Sequence, residues 1–506
     1  MTMKRIIYAS FLVLSLGACT KDLDQVSPNS IVQTNFWKTD ADFLLGLAAT
    51  YKVFHDVNNG YFGVRGIELS NGRGDDFFIR NDVKDLYQLS TFTNNSTTGT
   101  PGGIFTGFYT GIFRANQVIE QAGKSSLPDD SKKQYIAEAQ FLRGLNYFFL
   151  AINFGSVPII TSVPVERSQY FVSQMPEADV WAQAVSDLQA ASANLPVSYP
   201  AAWVGRATKG AAIGMLGKAY VYQKNWAEAE KAFKQLAQPN GTAQAPYTYD
   251  LMAKFEDNFS KGTDNNVESL FEIQNQNVGG SNPWAGENAN ESLGVTTAQE
   301  FAPTEVAGWF EVSATDKLFN EFKKEKAVGG RFDYRMYSTL VWNYDSATYY
   351  NKPFKDFKLV FGYSTLIRKY QNWHENNEGI YISDINEKVL RYADILLLYA
   401  ETLTMQGRTT EAYPLVNRIR TRAKLAPLAS GFTADQIMAE IRHQRMLEFF
   451  REGQRFYDLK RWGLLEQEIK NSDKVGKEFF ASKFAYFPIP QGELNTNPNI
   501  KQNAGW

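Results

Sequence analysis

Residues 206–237 read RATKGAAIGMLGKAYVYQKNWAEAEKAFKQLA. Leu216-Gly217 with Tyr220, then Ala229 and Phe233, fall on the leucine-glycine, tyrosine, alanine and phenylalanine spacing of a tetratricopeptide helical pair. The spacing has a steric logic: small residues stand where two antiparallel helices touch, and aromatics where the pair meets its neighbour. A second, weaker match runs from Leu396 through Ala400, Gly407 and Ala412 to Val416. A regular solenoid would repeat about every 34 residues, and these two units lie far apart. Either match alone also suits an ordinary helical hairpin. Together with the helices around them they predict an interrupted helical-repeat scaffold.

Working outward, Thr39-Asp40-Ala41-Asp42 caps a helix predicted over 39–55. Two more follow over 103–121 and 131–153, the latter with Tyr135, Ala139, Leu142, Leu145 and Phe149 on one face. It stops at Gly155, with Pro158 beyond, as helices tend to. Residues 240–385 change character, being rich in Asn, Gly and aromatics with short extended stretches such as Glu268–Ile273. Helix resumes near 388–424 and 434–462. The expected fold class is therefore mainly α, a tetratricopeptide-like helical-pair scaffold. A loop-rich variable excursion containing short strands, at about 240–385, would be grafted on it. Long irregular segments held by a rigid scaffold are where binding sites usually sit.

Composition narrows the function classes. Lys and Arg total 52 against 54 Asp and Glu, a formal net charge of -2, so nothing global favours nucleic acid or an anionic membrane. One cysteine excludes an internal disulfide framework and a cysteine-built zinc site. Three histidines leave little material for transition-metal sites, and neither a metal nor a cofactor is expected. Aromatic content stands out, with 36 Phe, 26 Tyr and 10 Trp.

The single cysteine has a telling position. Lys4 and Arg5 precede an apolar run from Ile6 to Ala18, too short to span a bilayer, which takes about 20 residues. A basic start, a short apolar stretch and small residues at its end describe an export signal. Leu16-Gly17-Ala18-Cys19 resembles a bacterial lipobox, which implies cleavage before Cys19 and lipidation of its sulfur and new amino group. An ordinary signal peptide with an accidental cysteine is the competing reading. The charged Lys21, Asp22 and Asp24 resemble a surface-export signal and equally suit a solvated tether. The organisation expected is a signal peptide over 1–18, a lipidated tether over 19–35 and a single domain over 36–506.

Arg442 to Gly463, RHQRMLEFFREGQRFYDLKRWG, interleaves Lys/Arg and Asp/Glu with large apolar residues. Acids at helical spacing from the bases, as Glu448 from Arg445, point to ion pairs over an apolar face rather than to a one-sided nucleic-acid stripe. This segment resembles the C-terminal hallmark of the SusD/RagB family of outer-membrane lipoproteins. So do FPIPQGEL at 487–494 with Asn497-Pro498-Asn499-Ile500 and the final Gly505-Trp506. Tyr109–Asn116, Glu138–Gly144 and Leu390–Glu401 agree, in the family's order across the chain; Ala504 stands where the family often has proline. The resemblance implies an α-helical tetratricopeptide-like scaffold. It implies a lipoprotein on the outer face of the outer membrane that covers a SusC-type TonB-dependent transporter and captures oligo- or polysaccharide. Family members are usually binding proteins, not enzymes.

Sugars offer apolar CH faces and many hydroxyls, so their sites pair flat rings with carboxylates, amides and arginines. Asn71, Arg73, Asp75, Asp76 and Phe78 combine these types in one short segment, although they also suit a tight turn whose Asp residues cap the next element. In the excursion, Trp284 with Asn288, and Trp309, are the better ring candidates; Trp342 and Trp373 come next, each also suited to core packing. No HExxH, GK[ST] phosphate loop or G-x-S-x-G elbow occurs. The acids leave a surface glycoside hydrolase open, as are a lid for a peptide nutrient and an assembly protein with peptide-binding grooves.

Overall fold

In the computed structural model, the described residues are 36–56, 58–276, 294–379 and 383–506. The expectations for the signal run, Cys19, Trp284 and Asn288 fall outside them. No helix among the described residues is long and apolar enough to cross a membrane.

The N-terminal cap forms as its residues dictate. Thr39 accepts a hydrogen bond from the Asp42 backbone, and the Asp42 carboxylate accepts one from the Thr39 N–H at 2.7 Å, opening α1 (Asp40–Lys52). Two long helices follow, α2 (Gly99–Lys124) and α3 (Asp129–Phe154). Gly155, at φ +71°, ends α3. From Phe141 to Phe154 every residue of α3 is buried, so the single apolar face expected for it is too narrow a description. Its buried polar residues find partners: Asn146 donates to Leu142 O, Asn153 to Phe149 O, and Arg143 pairs with Asp187 at 2.6 Å, while Asn146 Oδ1 has no partner among the described residues. A helix sunk on all sides is the central element of the scaffold.

The array continues through α4 (Glu177–Asn194), α5 (Lys209–Tyr222), α6 (Trp226–Phe233), α7 (Tyr392–Met405) and α8 (Thr409–Arg422). Each helix from α1 to α8 packs on the next. That includes α7 on α6, which are neighbours in space although the whole excursion separates them in sequence. The helical pairs predicted at 206–237 and 396–416 are thus successive members of one interrupted array. Gly217 shows why the leucine-glycine signal works. A Cβ there would lie 2.5 Å from the Phe233 ring, so the close approach of α5 and α6 requires a residue without one. Gly217→Val is expected to cost about 1–3 kcal/mol through overpacking, read as a lower urea midpoint; an unchanged midpoint would refute this account of the pair.

Among the described residues, ribbons of two antiparallel strands serve the excursion, among them β1 (Phe77–Ile79) with β3 (Val312–Ala314), β2 (Ser269–Ile273) with β6 (Glu387–Arg391), and β4 (Leu340–Trp342) with β5 (Thr365–Ile367). The β2–β6 ribbon is the neck where the excursion leaves and rejoins the scaffold. Residues 388–391, expected to open a helix, are therefore strand, and the helix starts at Tyr392. The excursion carries a small core of its own around Phe310, Val341, Tyr349, Tyr350, Phe354 and Leu366.

The helix expected over 434–462 is two helices, α9 (Ala434–Phe449) and α10 (Arg455–Trp462). Phe450 turns extended, and Arg451 and Gly453 adopt left-handed backbone at φ +65° and +67°. The break lets the charges of this segment point in different directions, so most ion pairs are tertiary. Arg451 meets Glu387, Arg455 meets Asp75, and Arg445 meets both Asp394 and Asp458. Glu448 contacts Arg335, Arg391 and Arg422. Of these only Arg445–Asp458 lies within the segment.

Candidate functional site

Of the early-segment candidates, four are interior. Asn71 accepts from Gly453 N at 3.0 Å and donates to Ile67 O at 2.8 Å. The Arg73 guanidinium lies between the Phe456 and Phe487 rings, 4.0 and 3.8 Å from their centroids, and donates to Asn153 Oδ1 and Tyr457 Oη. Asp75 takes both nitrogens of the Arg455 fork at 2.7 and 2.8 Å and Lys317 at 2.5 Å. Burial would raise its carboxyl, but Arg455 and Lys317 prevail and hold it down at about 2. Asp76, buried beside the charged Asp75, is pushed up to about 7. These groups are no more than 5% exposed. As ligand contacts they are corrected: Asn71, Arg73 and Asp75 clamp the segment before β1 to the C-terminal signature, with Asp76 buried beside them, which the segment's own sequence gives no means of seeing.

Phe78 is different, and strand alternation is the reason. In β1, Phe77 and Ile79 face the core, while Phe78 faces out and is half-buried. Register places it opposite Ser313. Its ring lies 4.9 Å from Phe361 and 5.5 Å from Tyr363, and Phe361 lies 4.7 Å from Phe310. Leu359 and Val360, 39% and 59% exposed, continue the apolar surface.

The backbone of Trp309 reaches this region from the excursion. Its N–H donates to Gln299 O at 2.7 Å, and Arg80, just past β1, donates to the carbonyls of Trp309 and Phe310. Arg80 also pairs with exposed Asp82 at 2.5 Å. Arg65 grips Glu311 through two nitrogens at 3.0 and 2.6 Å. Arg65, Ala307 and Phe310 all hold positive φ without being glycine, the kind of backbone strain that gathers at functional sites. The structure thus brings the Phe78 ring to Phe361, with Arg80 holding the Trp309 and Phe310 carbonyls and Arg65 holding Glu311. Phe361 carries no local signal in sequence; only its ring contacts reveal it.

Gly308 fixes the tryptophan's position. A Cβ there would sit 2.0 Å from Ala302 O and 2.3 Å from its carbonyl carbon, both backbone atoms. Gly308→Ala must therefore shift the turn that carries Trp309. Lower ligand affinity is expected with every ring retained, measured by titration; undiminished affinity would separate Trp309 from the site.

Beneath the platform lies a buried carboxylate group. Glu68 is fully buried with both oxygens lacking hydrogen-bond partners among the described residues. Burial, then the neighbouring Glu300 and Glu311, push its carboxyl well up. Burial and Glu311 likewise raise Glu300 to about 7. Among the described residues no three His, Cys, Asp or Glu side chains are grouped to hold a metal.

Trp342 is a correction. It is 7% exposed and packs among Phe319, Phe332, Tyr337 and Tyr344, with centroids 4.7–6.3 Å away. Trp373 lies under the Arg368 guanidinium at 4.2 Å.

Residues 267–506 match the family model described as the SusD family, and residues 23–221 match one described as starch-binding associating with outer membrane. The chain is similar to a solved SusD superfamily protein from Bacteroides vulgatus, 36% identical with TM-score 0.85, covering 93% of this chain and 100% of that one. A solved laminarin-binding SusD-like protein is 26% identical with TM-score 0.76, over 93% of this chain and 100% of its own. SusD-like protein P2 of Formosa agariphila is 26% identical over 97% of each chain.

Proposed function

The chain belongs to the SusD/RagB family, and from that premise we propose that it is a surface glycan-binding lipoprotein of the outer membrane. Cys19 is its lipid anchor, and oligo- or polysaccharide its ligand. The protein serves as the lid of a SusC-type TonB-dependent transporter, passing bound glycan on as the lid closes. It binds without cleaving.

The observation that carries the reading is the contact of the half-buried Phe78 and Phe361 rings, beside the segment that Arg80 holds by the Trp309 and Phe310 carbonyls and that Arg65 holds by Glu311. Half-exposed rings present flat apolar area for sugar CH faces at low entropic cost, while the arginines and Asp82 supply fixed partners for hydroxyls. The family model's description as starch-binding and the laminarin-binding relative support a glucan as the first ligand to try.

Affinity electrophoresis through gels containing laminarin, starch, xylan or galactomannan tests this directly. Retardation by at least one is expected. Trp309→Ala with Phe361→Ala should weaken it by about 2 kcal/mol or more, roughly thirtyfold, as loss of aromatic anchors does; Trp284→Ala belongs in the same series. No retardation by any polysaccharide would overturn the glycan reading. Release of reducing ends would replace it with a hydrolase, and failure to co-purify with a TonB-dependent transporter from outer membranes would remove the lid.

A further inference from the structure

A second concavity lies away from the platform and shares none of its residues. It runs between α1 and β2. One chamber of about 880 Å³ is lined by Leu45, Ala48, His55, Ile273 and Asn275. Another of about 340 Å³ is lined by Tyr199, Tyr247, Tyr249 and Asn265. Gly205, Arg206 and Glu272 line both, so the two form one groove. Each chamber falls within the size range of small-molecule sites.

Two side chains that line the larger chamber each keep a buried polar atom without a partner among the described residues. His55 is 9% exposed, and its Nδ1 has no hydrogen-bond partner among the described residues. Burial, reinforced by Lys52, pushes its imidazole down to about 4, so the ring is neutral at physiological pH and able to accept or donate. Asn275 donates its amide to Ile385 O at 2.9 Å, while its buried Oδ1 has no partner among the described residues. Buried polar groups without partners are costly, and a ligand hydroxyl relieves that cost.

The charged groups at the junction are already neutralised. Arg206 is engaged by Glu138, and Glu272 lies 2.7 Å from Lys388. That disfavours a charged ligand. Aromatic area is present as well: Tyr247 and Tyr249 stack at 5.6 Å, Arg206 covers Tyr199 at 4.7 Å, and Trp203 is 45% exposed beside Val204 at 50%. Neutral hydroxyl-binding groups with apolar walls and an exposed indole at the rim match one chemistry.

We propose that this groove is a second saccharide site, taking a neutral oligosaccharide. It rests on the glycan-binding reading and extends it, because two sites on one chain with no residue in common grip one polysaccharide at two points. Linking two weak contacts multiplies avidity without any new contact. For a capture protein facing long, repetitive polymers, that is the useful arrangement.

The test uses the folded protein with laminarihexaose and maltohexaose as probes, and laminarin and starch as polymers. Hydrogen exchange is followed in segments 45–55, 199–206 and 269–276, apart from the platform. Protection of these segments by a hexasaccharide is expected, and it should persist in the Trp309→Ala/Phe361→Ala variant. It should vanish in Ala48→Arg/Trp203→Ala, two exposed positions whose replacement leaves the circular dichroism unchanged. In that second variant, affinity for the corresponding polymer should fall about a hundredfold while platform protection remains. Protection at the platform alone, or loss of groove protection in the platform variant, overturns this inference and leaves the glycan reading standing. No protection anywhere, together with no retardation in the polysaccharide gels, overturns both.

Discussion

Replacing Glu448 with alanine is expected to destabilise the fold by about 3–5 kcal/mol, the usual consequence of removing one partner from a buried ion pair. Glu448 is at the centre of a cluster in which Arg335, Arg391, Arg422 and Lys369 meet Glu268, Glu448, Glu452 and Asp333. Four cations against four anions leave the cluster neutral, and all eight side chains are at most 4% exposed. Burial alone would raise the Glu448 carboxyl, but Arg422, Arg391 and Arg335 outweigh it and hold it far below the usual range.

The alanine variant strands one positive charge where water cannot reach it. The cluster joins the neck strand β6, through Arg391, to α8, through Arg422, and to α9, through Glu448. The loss should therefore appear as a single lowered urea transition, not as local fraying. Glu448→Gln keeps the shape and some hydrogen bonds but leaves the same excess charge. A double variant with Arg391→Met removes one charge of each sign and should recover part of the loss, a coupling that direct neighbours show. A loss under about 1 kcal/mol for Glu448→Ala would mean that the cluster is hydrated and that its burial has been misjudged.

Glu68→Gln is expected to do the reverse and stabilise the protein at neutral and alkaline pH. The folded-state carboxyl of Glu68 is raised by burial, then by Glu300 and Glu311, with Arg65 and Arg80 opposing. In the unfolded chain it ionises near the ordinary value of about 4.3. A raised acid binds its proton more tightly when folded, so the wild type loses stability as pH rises through the unfolded value. The loss continues until the folded group ionises too. Glutamine has no proton to hold. The two proteins should match near pH 4 and diverge as pH rises towards 8, by about 1.4 kcal/mol for each unit by which the carboxyl is raised. Thermal unfolding at pH 4, 6 and 8 reads the difference. A variant less stable than wild type at pH 8, or an offset that does not change with pH, would show that Glu68 is ionised and partnered in the folded protein.

How much of this was legible beforehand varies by element. Gly217 and Phe233 declared their helical pair because a tight helix crossing admits few residue types at a fixed spacing. Thr39 and Asp42 declared a cap because the hydrogen-bonding chemistry is local. The sequence pattern gives no clear mark of helix α4, and it places 388–391 in a helix where the structure has strand. A short buried strand whose residues are all covered has no alternation to display.

The site was less legible than the fold. Asn71, Arg73, Asp75 and Asp76 have the residue types of a sugar site and are buried, the first three spent on interior clamps. Phe78, in the same segment, reaches the surface only because β1 pairs with β3 in a register that turns it outward. Phe361 and the groove at His55 and Asn275 involve residues with nothing unusual nearby in sequence.

By itself the sequence determined the helical-pair scaffold, the excursion grafted on it and the family, because each rests on local spacing or ordered motifs. It also narrowed the chemistry, through the single cysteine at Cys19 and the scarcity of histidine. Tertiary structure alone decided which rings and charges face solvent. The aromatic surplus illustrates the division. Most described rings pack in the core, Trp342 among them, and a minority, Phe78, Trp309, Phe361 and Trp203 included, keep exposed area. Burial depends on what a distant segment lays over a residue, and no property of the residue or its neighbours in sequence encodes that cover.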